Sequence, residues 1–305
     1  MLTLRPAGEI LAADWDAVVD AIPDAWFWHR RGWLAYQRAY YTGDGDVDRS
    51  AAVMEDGRIV GLLPLIVRAG GRAVMDGRPG PVFTDAQVAR RASGLVLDHV
   101  RRCGVTSWTF AGIPQRARPD FGRAVETRIV DLRETEAALW RGVRRSYHAL
   151  IHRAEHQHAI RVGAGDHLAV CYMRAHQASA TRPRSGRTYS LQMEWARAGQ
   201  AAIALAFRHG DDGDQRAIPV AAAYAIVYKR RAYYASGPST ERDVQHAVQW
   251  ALVKHLAAIG AEYYETGYLP DDPSDKDRGI QKFKEGFGGD AWYYELSDVS
   301  FRPGA

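Results

Sequence analysis

The residues best placed to do chemistry lie near the C-terminus, in Lys282-Phe283-Lys284-Glu285-Gly286-Phe287-Gly288-Gly289. Two phenylalanines anchor the segment, two lysines flank the first of them, and glycines let the backbone approach a ligand closely. The same composition also describes a solvated turn, so the residues alone leave both readings open. His152-Arg153-Ala154-Glu155-His156 fits the H-x-x-E-H pattern of metallopeptidase helices, with His148 one turn earlier. That pattern is short and has no clear distal carboxylate helix to complete it, so no metal is expected. A third set is basic: Arg141, Arg145, His148 and His152 step by four, three and four residues, with Arg144 and Arg153 on the flanks. A helix striped in this way can run along a phosphate backbone, and it can equally be an ordinary solvated face. The acidic loops Asp44 to Asp48, Asp211 to Asp214 and Asp271 to Asp277 lack calcium-loop spacing and read as solvated turns. Neither a Gly-x-Ser-x-Gly elbow nor a Gly-rich phosphate loop occurs.

Positioning these residues requires helices and strands that the pattern marks out. Val248, Leu252, His255, Leu256 and Ile259 recur at three- and four-residue steps, the stripe of an amphipathic helix packed on a sheet. Thr240 and Asp243 are expected to open that helix as a capping box, and Gly260 to end it in a left-handed conformation. Ala261 to Thr266 reads as a short buried strand, followed after Gly267 by an acidic loop. The basic residues belong to one long helix from Glu136 to His156, with Leu139, Val143, Leu150 and Ala154 on its buried face. Ala201 to Phe207, Ile218 to Tyr228 and Arg231 to Ser236 read as antiparallel strands, joined by a polar loop from Gly210 to Arg216 and a tight turn at Lys229-Arg230.

The first half carries the same order. A short helix from Asp14 to Ile22 precedes Trp26-Phe27-Trp28, which leads into a helix bearing Trp33, Tyr36, Tyr40 and Tyr41. These aromatics can line a groove or pin a helix to a core. Ser50 to Met54 and Ile59 to Val67 flank an Asp-Gly turn, the mark of a β-hairpin. A loop from Gly77 to Asp85, a helix from Gln87 to Arg102, Gly104, and a strand from Val105 to Phe110 reaching Gly112 complete it. Cys103-Gly104 to Gly112 repeats the helix end, strand and turn of Ile259-Gly260 to Gly267. The repeat predicts two tandem domains of one mixed α/β architecture, residues 1–130 and 131–305, with the last ~12 residues returning to the first domain.

At 305 residues, 47% apolar and 25% charged, the chain is long enough to bury real cores and is not disordered in bulk. A net charge of +4, from 40 basic and 36 acidic residues, is too small to diagnose nucleic-acid binding. Cys103 and Cys171 form no CxxC and read as reduced thiols. No apolar run reaches the length of a membrane span, and the N-terminus lacks the basic-then-apolar order of a signal peptide, so a soluble cytoplasmic protein is expected.

Three stretches together carry a family resemblance. They are Val130-Asp131-Leu132 leading into the basic helix that ends at Ala159-Ile160-Arg161-Val162, then Tyr233-Tyr234-Ala235-Ser236-Gly237 with Arg242, and Phe283-Lys284-Glu285-Gly286-Phe287-Gly288. The chain resembles the Fem family, aminoacyl-tRNA-dependent peptidyltransferases of peptidoglycan synthesis. It is similar to the shorter members that lack a coiled-coil arm. Gly80-Pro81-Val82 and the Trp33 helix extend the likeness over nearly the whole chain, and Phe-Lys-x-x-Phe-Gly is its most specific motif. The resemblance implies two tandem acetyltransferase-like domains, no cofactor, and aminoacyl-tRNA as co-substrate with a peptide-type acceptor.

It also implies catalytic roles for Lys284 and His246. Substrate contacts are implied for Phe283, Arg187, Tyr233, Tyr234, Arg242, Trp33 and Gln37, and tRNA contacts for Arg141, Arg144, Arg145 and Arg153. Gln37 stands where peptidoglycan-building members can carry a lysine, and Ala111 where an acidic residue is sometimes found. Both departures weigh against a UDP-linked muramyl peptide as acceptor, and a small peptide or amine, as in antibiotic biosynthesis, fits at least as well as a peptidoglycan precursor. An aminoacyl ester is already activated, so orientation and oxyanion stabilisation suffice without a covalent intermediate. Two other readings stay open: an acyl-CoA-dependent N-acyltransferase of the same fold, and a non-catalytic module that binds RNA or a precursor. Against the first, Gly237-Pro238-Ser239-Thr240-Glu241-Arg242 is not a pyrophosphate-cradling turn, and Arg91 to Leu95 matches one only in part.

Overall fold

The structure, a computed structural model, describes residues 1–40, 46–73, 75, 77–180, 184–211, 217–268 and 274–301. Tyr41, Asp44, Asp214, Arg216 and Asp271, cited above, lie outside the described residues. The chain divides into two compact units, Met1–Ala124 with Tyr294–Ala305, and Val125–Tyr293.

The first unit contains β1 (Leu2–Pro6), α1 (Ala12–Ala21), α2 (Arg31–Tyr40), β2 (Val47–Asp48), β3 (Ala51–Glu55), β4 (Arg58–Leu63), β5 (Ile66–Arg68), β6 (Arg72–Ala73), β7 (Val82–Phe83), α3 (Ala86–Arg102) and β8 (Ser107–Ala111). Strands β1, β3, β4 and β7 form one antiparallel sheet. Asp56 and Gly57 between β3 and β4 both have positive φ, the turn that matches the twist of a tight hairpin. The strand expected from Ile59 to Val67 is divided at Pro64, which has no N–H to give a ladder. Its second part, β5, pairs instead with β2 and β6. Asp85 caps α3 through the amides of Gln87 and Val88, and Val96, Val100, Val105 and Trp108 pack with Leu63 and Leu65 beneath it.

The second unit contains β9 (Arg123–Asp131), α4 (Glu136–Gly142), α5 (Arg145–Gln157), β10 (His158–Gly163), α6 (Asp166–Ser179), α7 (Gly186–Arg197), β11 (Ala201–Arg208), β12 (Ala221–Tyr228), β13 (Arg231–Ser236), α8 (Gln245–Ala258), β14 (Tyr263–Tyr268) and α9 (Asp275–Glu285). A last strand, β15 (Asp290–Ser300), begins here and pairs through Leu296 to Ser300 with β8 in the first unit. The sheet order is β10-β11-β12-β13-β14-β9, antiparallel except where α8 crosses over from β13 to parallel β14. β11 and β12 are buried on both faces. Their alternate alanines, Ala202, Ala204, Ala206, Ala221, Ala223 and Ala225, cluster with α5 and α8, where small side chains let the helices sit close. On the other face Tyr224 packs against Tyr172 of α6.

Several expectations need correction. The helix expected from Glu136 to His156 is two, because Val143 and Arg144 are extended between α4 and α5. Val143 enters the core there, and the Arg144 amide donates to the Gly286 carbonyl at 2.7 Å. The capping box at α8 does not form: Val244 is its N-cap, Asp243 has positive φ, and the Thr240 hydroxyl donates to Val220. Ile259, placed on the buried stripe, is 50% exposed. β14 runs on through Gly267, where a bulge breaks the register with β9. The glycine repeat has a physical form. Val105 N donates to Val100 O and Ala261 N to Leu256 O, each around a left-handed glycine, so α3 and α8 end in the same way.

Candidate active site

Lys284 sits in the last turn of α9, whose start is fixed by Ser274 and Asp277 in a reciprocal capping box. The helix ends in Gly286, and here glycine is required by space: a Cβ would lie 2.0 Å from the Tyr147 ring. Gly288 follows with positive φ, and its missing side chain leaves room for the Gly142 carbonyl. The glycine turn thus docks into the break between α4 and α5. Phe283 and Phe287 lie 5.2 Å apart edge to face, and both stand beside His246 and Tyr147. Arg144 at the helix break donates to the Tyr147 hydroxyl at 3.2 Å and lies over its ring. The Tyr147 hydroxyl in turn donates to the Lys282 carbonyl.

From this aromatic base the Lys284 amine reaches β14, an inner strand of the sheet. It approaches to 3.0 Å the point a Cβ on Gly267 would occupy, and the Tyr233 hydroxyl comes to 3.2 Å of the same point. Bare backbone at Gly267, with φ +89°, therefore makes room for both groups. The amine also lies 5.7 Å above the Tyr234 ring. Burial pushes its pKa from 10.5 down to about 8, while the negative charges of Glu265 and Asp277 oppose the fall. An amine poised near neutrality can exchange a proton during a reaction.

Glu265 of β14 is 5% exposed and accepts a 2.8 Å hydrogen bond from Thr127 of β9. Tyr234 is buried, which holds its phenol well above the ordinary value despite a hydrogen bond from Gln245. Burial likewise raises the Tyr147 phenol, so neither tyrosine is a base at neutral pH. His246 opens α8 and its Nδ1 donates to the Asp243 carbonyl at 2.9 Å. Burial lowers its pKa, so the ring is neutral and Nε2 keeps a lone pair.

The structure gathers Lys284, Tyr233 and Tyr234 on one side of this region, and Phe283 with His246 on the other. It places the remaining candidates elsewhere. Arg187 is exposed on α7 and pairs with Glu194 at 3.4 Å. Arg242 is exposed in the turn before α8. Trp33 is buried in the first unit, stacked on Tyr36 and against Trp28, and Gln37 beside it is 1% exposed. Arg141, Arg145 and Arg153 are exposed, whereas Arg144 is turned inwards onto Tyr147. Within the H-x-x-E-H pattern His152 contacts Glu155, which also meets Lys254, and His148 one turn earlier stacks on Trp140. Sequence reasoning missed Tyr147, Glu265, Thr127 and Gly267 as parts of the site. The one signal that could have pointed to Glu265 is an acidic residue inside the strand read from Ala261 to Thr266, which it shares with Glu262.

No protein-family model matches the chain, and no curated protein sequence matches it. Solved structures do. FemX aligns with a TM-score of 0.63 at 15% identity, over 94% of this chain and 96% of its own. A tandem GNAT protein from the clavulanic acid biosynthesis pathway aligns with 0.53 at 14%, over all of both chains. L-PGS from Bacillus licheniformis aligns with 0.51 at 14%, over 81% of this chain and 82% of its own. At these identities the likeness defines a fold, and that fold is the tandem acetyltransferase-like arrangement of mixed α/β domains.

Among the described residues no helix is long and apolar enough to cross a membrane.

Proposed function

We propose that this protein is an aminoacyltransferase that moves an amino acid from aminoacyl-tRNA to the amine of a small peptide-type acceptor. The observation that carries the reading is the Lys284 amine, half-buried within the Phe-Lys-x-x-Phe-Gly motif and facing bare backbone at Gly267. The fold shared with FemX supports it, as does the motif resemblance to the Fem family. In the step, the acceptor nitrogen forms a C–N bond to the ester carbonyl and the C–O bond to the tRNA ribose breaks. One proton leaves nitrogen and one must reach the departing oxygen. Neutral Lys284 takes the first, and its ammonium stabilises the oxyanion and returns the proton to the ribose, which balances the exchange. His246 Nε2 is the second group able to relay that proton. The acceptor is a natural-product intermediate or a peptidoglycan precursor, and charged tRNA as the donor implies a reaction in the cytoplasm.

The runner-up is acyl-CoA-dependent N-acylation, favoured by the tandem GNAT neighbour. The turn before α8 argues against it. Pro238 offers no amide, Thr240 N is spent on the Val220 carbonyl, and Glu241 brings negative charge, paired with His158 and Arg208, close to where a pyrophosphate would sit. Incubation with total charged tRNA, labelled amino acids and an amine panel, with and without RNase, tests the proposal. RNase-sensitive labelling of an acceptor is the expected result. Labelling that needs acetyl-CoA and ignores RNase would replace it with the runner-up.

A further inference from the structure

The sheet carries a buried carboxylate that the proposed step does not use. Glu265 is 5% exposed and Thr127, which donates to its Oε1, is fully buried, although 138 residues separate the two in sequence. Enclosing a carboxylate without a cation nearby is costly, and Lys284 is a cation whose charge Glu265 supports. Glu265 pairs in register with Tyr233 and lies across the β14 bulge from Gly267, the bare glycine that the Lys284 amine and the Tyr233 hydroxyl both approach. Resting on the reading of Lys284 as the working amine, we propose that Glu265 is its positioning residue. Fixed by Thr127, the carboxylate holds the Lys284 head group against Gly267 and decides which protonation state it presents to the acceptor.

The groups that face this amine can be named by element. Glu265 comes from β14, Tyr233 and Tyr234 from β13, and Asp277 from α9 itself. Arg144 of the α4–α5 break, Tyr147 of α5 and His246 of α8 lie beside the neighbouring Phe283 and Gly286. Asp277 is only partly buried and its carboxylate is engaged with Ser274, so Glu265 is the enclosed acid of the set.

The test is competitive acylation of the whole folded protein with a small amine-reactive anhydride across pH 6–11, with Lys284 read by mass spectrometry. No substrate is needed, so failure of this proposal and failure of the aminoacyl-transfer reading remain distinguishable. Glu265→Gln keeps a partner for Thr127 and removes the charge. It should lower the apparent pKa of Lys284 by ~1, about tenfold in its protonation equilibrium. The acid limb of the transfer rate should move down by the same amount. Glu265→Asp, which withdraws the carboxylate by one methylene, should move the titration in the same direction by less, and it serves if the Gln variant does not fold. A folded variant whose Lys284 titrates as in the parent protein would overturn the proposal, whatever its activity.

Discussion

Lys284 makes two predictions of opposite sign at the residue scale. Lys284→Met keeps most of the stem and removes the amine, so transfer should fall by ~10²–10³ at saturating tRNA and acceptor. A variant within a few-fold of the parent would remove Lys284 from the mechanism. The same change should stabilise the protein. The folded pKa, about 8, lies below the ordinary 10.5, so between those values the unfolded chain holds more of the proton. Folded stability therefore rises with pH across that window, and below pH 8 the cost of burying the charge is fully present. Lys284→Met should raise the stability at pH 7 by an amount on the order of 1–3 kcal/mol, an advantage that fades as pH climbs from 8 towards 10.5. Equal gains at pH 7 and pH 10.5 in chemical denaturation would mean that the amine is not desolvated.

At the scale of elements, the site depends on α9 and its glycine turn docking into the break between α4 and α5. Gly286→Ala would drive a methyl into the Tyr147 ring, and with Gly142 and Gly288 already in contact the turn has no slack. We expect a loss of ~1–3 kcal/mol in chemical denaturation. Tyr147→Ala in the same chain removes the colliding ring, so the two changes should cost less together than the sum of each alone. Strict additivity would show that the turn is free to move away from α5. Apart from Gly142 at the end of α4, the residues of the break give no warning of it. Val143 and Arg144 are acceptable in a helix, and only the arrival of Gly286, to whose carbonyl the Arg144 amide donates, makes the extended conformation the better one.

For the whole molecule the question is how it would hold a polyanion as large as tRNA while carrying a net charge of only +4. Arg141, Arg145 and Arg153 are exposed on successive helices of the second unit, and phosphate binding there would register as salt dependence. Paired changes to alanine should weaken binding and reduce the slope of log affinity against log salt by ~0.7–0.9 for each phosphate no longer neutralised. An unchanged slope would leave these arginines as a solvated face. Arg144 is excluded from that set because it is committed to Tyr147, so Arg144→Ala should act on stability and site geometry before it acts on tRNA affinity.

By itself the sequence determined what short stretches of chain decide. The α8 crossover, the left-handed glycines at 104 and 260, the hairpin at Asp56-Gly57, and the Phe-Lys-x-x-Phe-Gly segment all follow from periodicity and backbone freedom within a few residues. The repeat among these signals predicted two tandem mixed α/β domains, and the family resemblance implied that they are acetyltransferase-like. Tertiary structure alone decided the environment of each polar group. Lys284 and Lys282 are equivalent letters, yet one is half-buried within the field of Glu265 and the other is exposed. Thr127 and Glu265 meet only because β9 pairs with β14, and Trp33 and Gln37 became interior because their helix packs on the Trp26 to Trp28 aromatics. A side chain's charge state and reach depend on desolvation by residues far along the chain, and no local pattern carries that information.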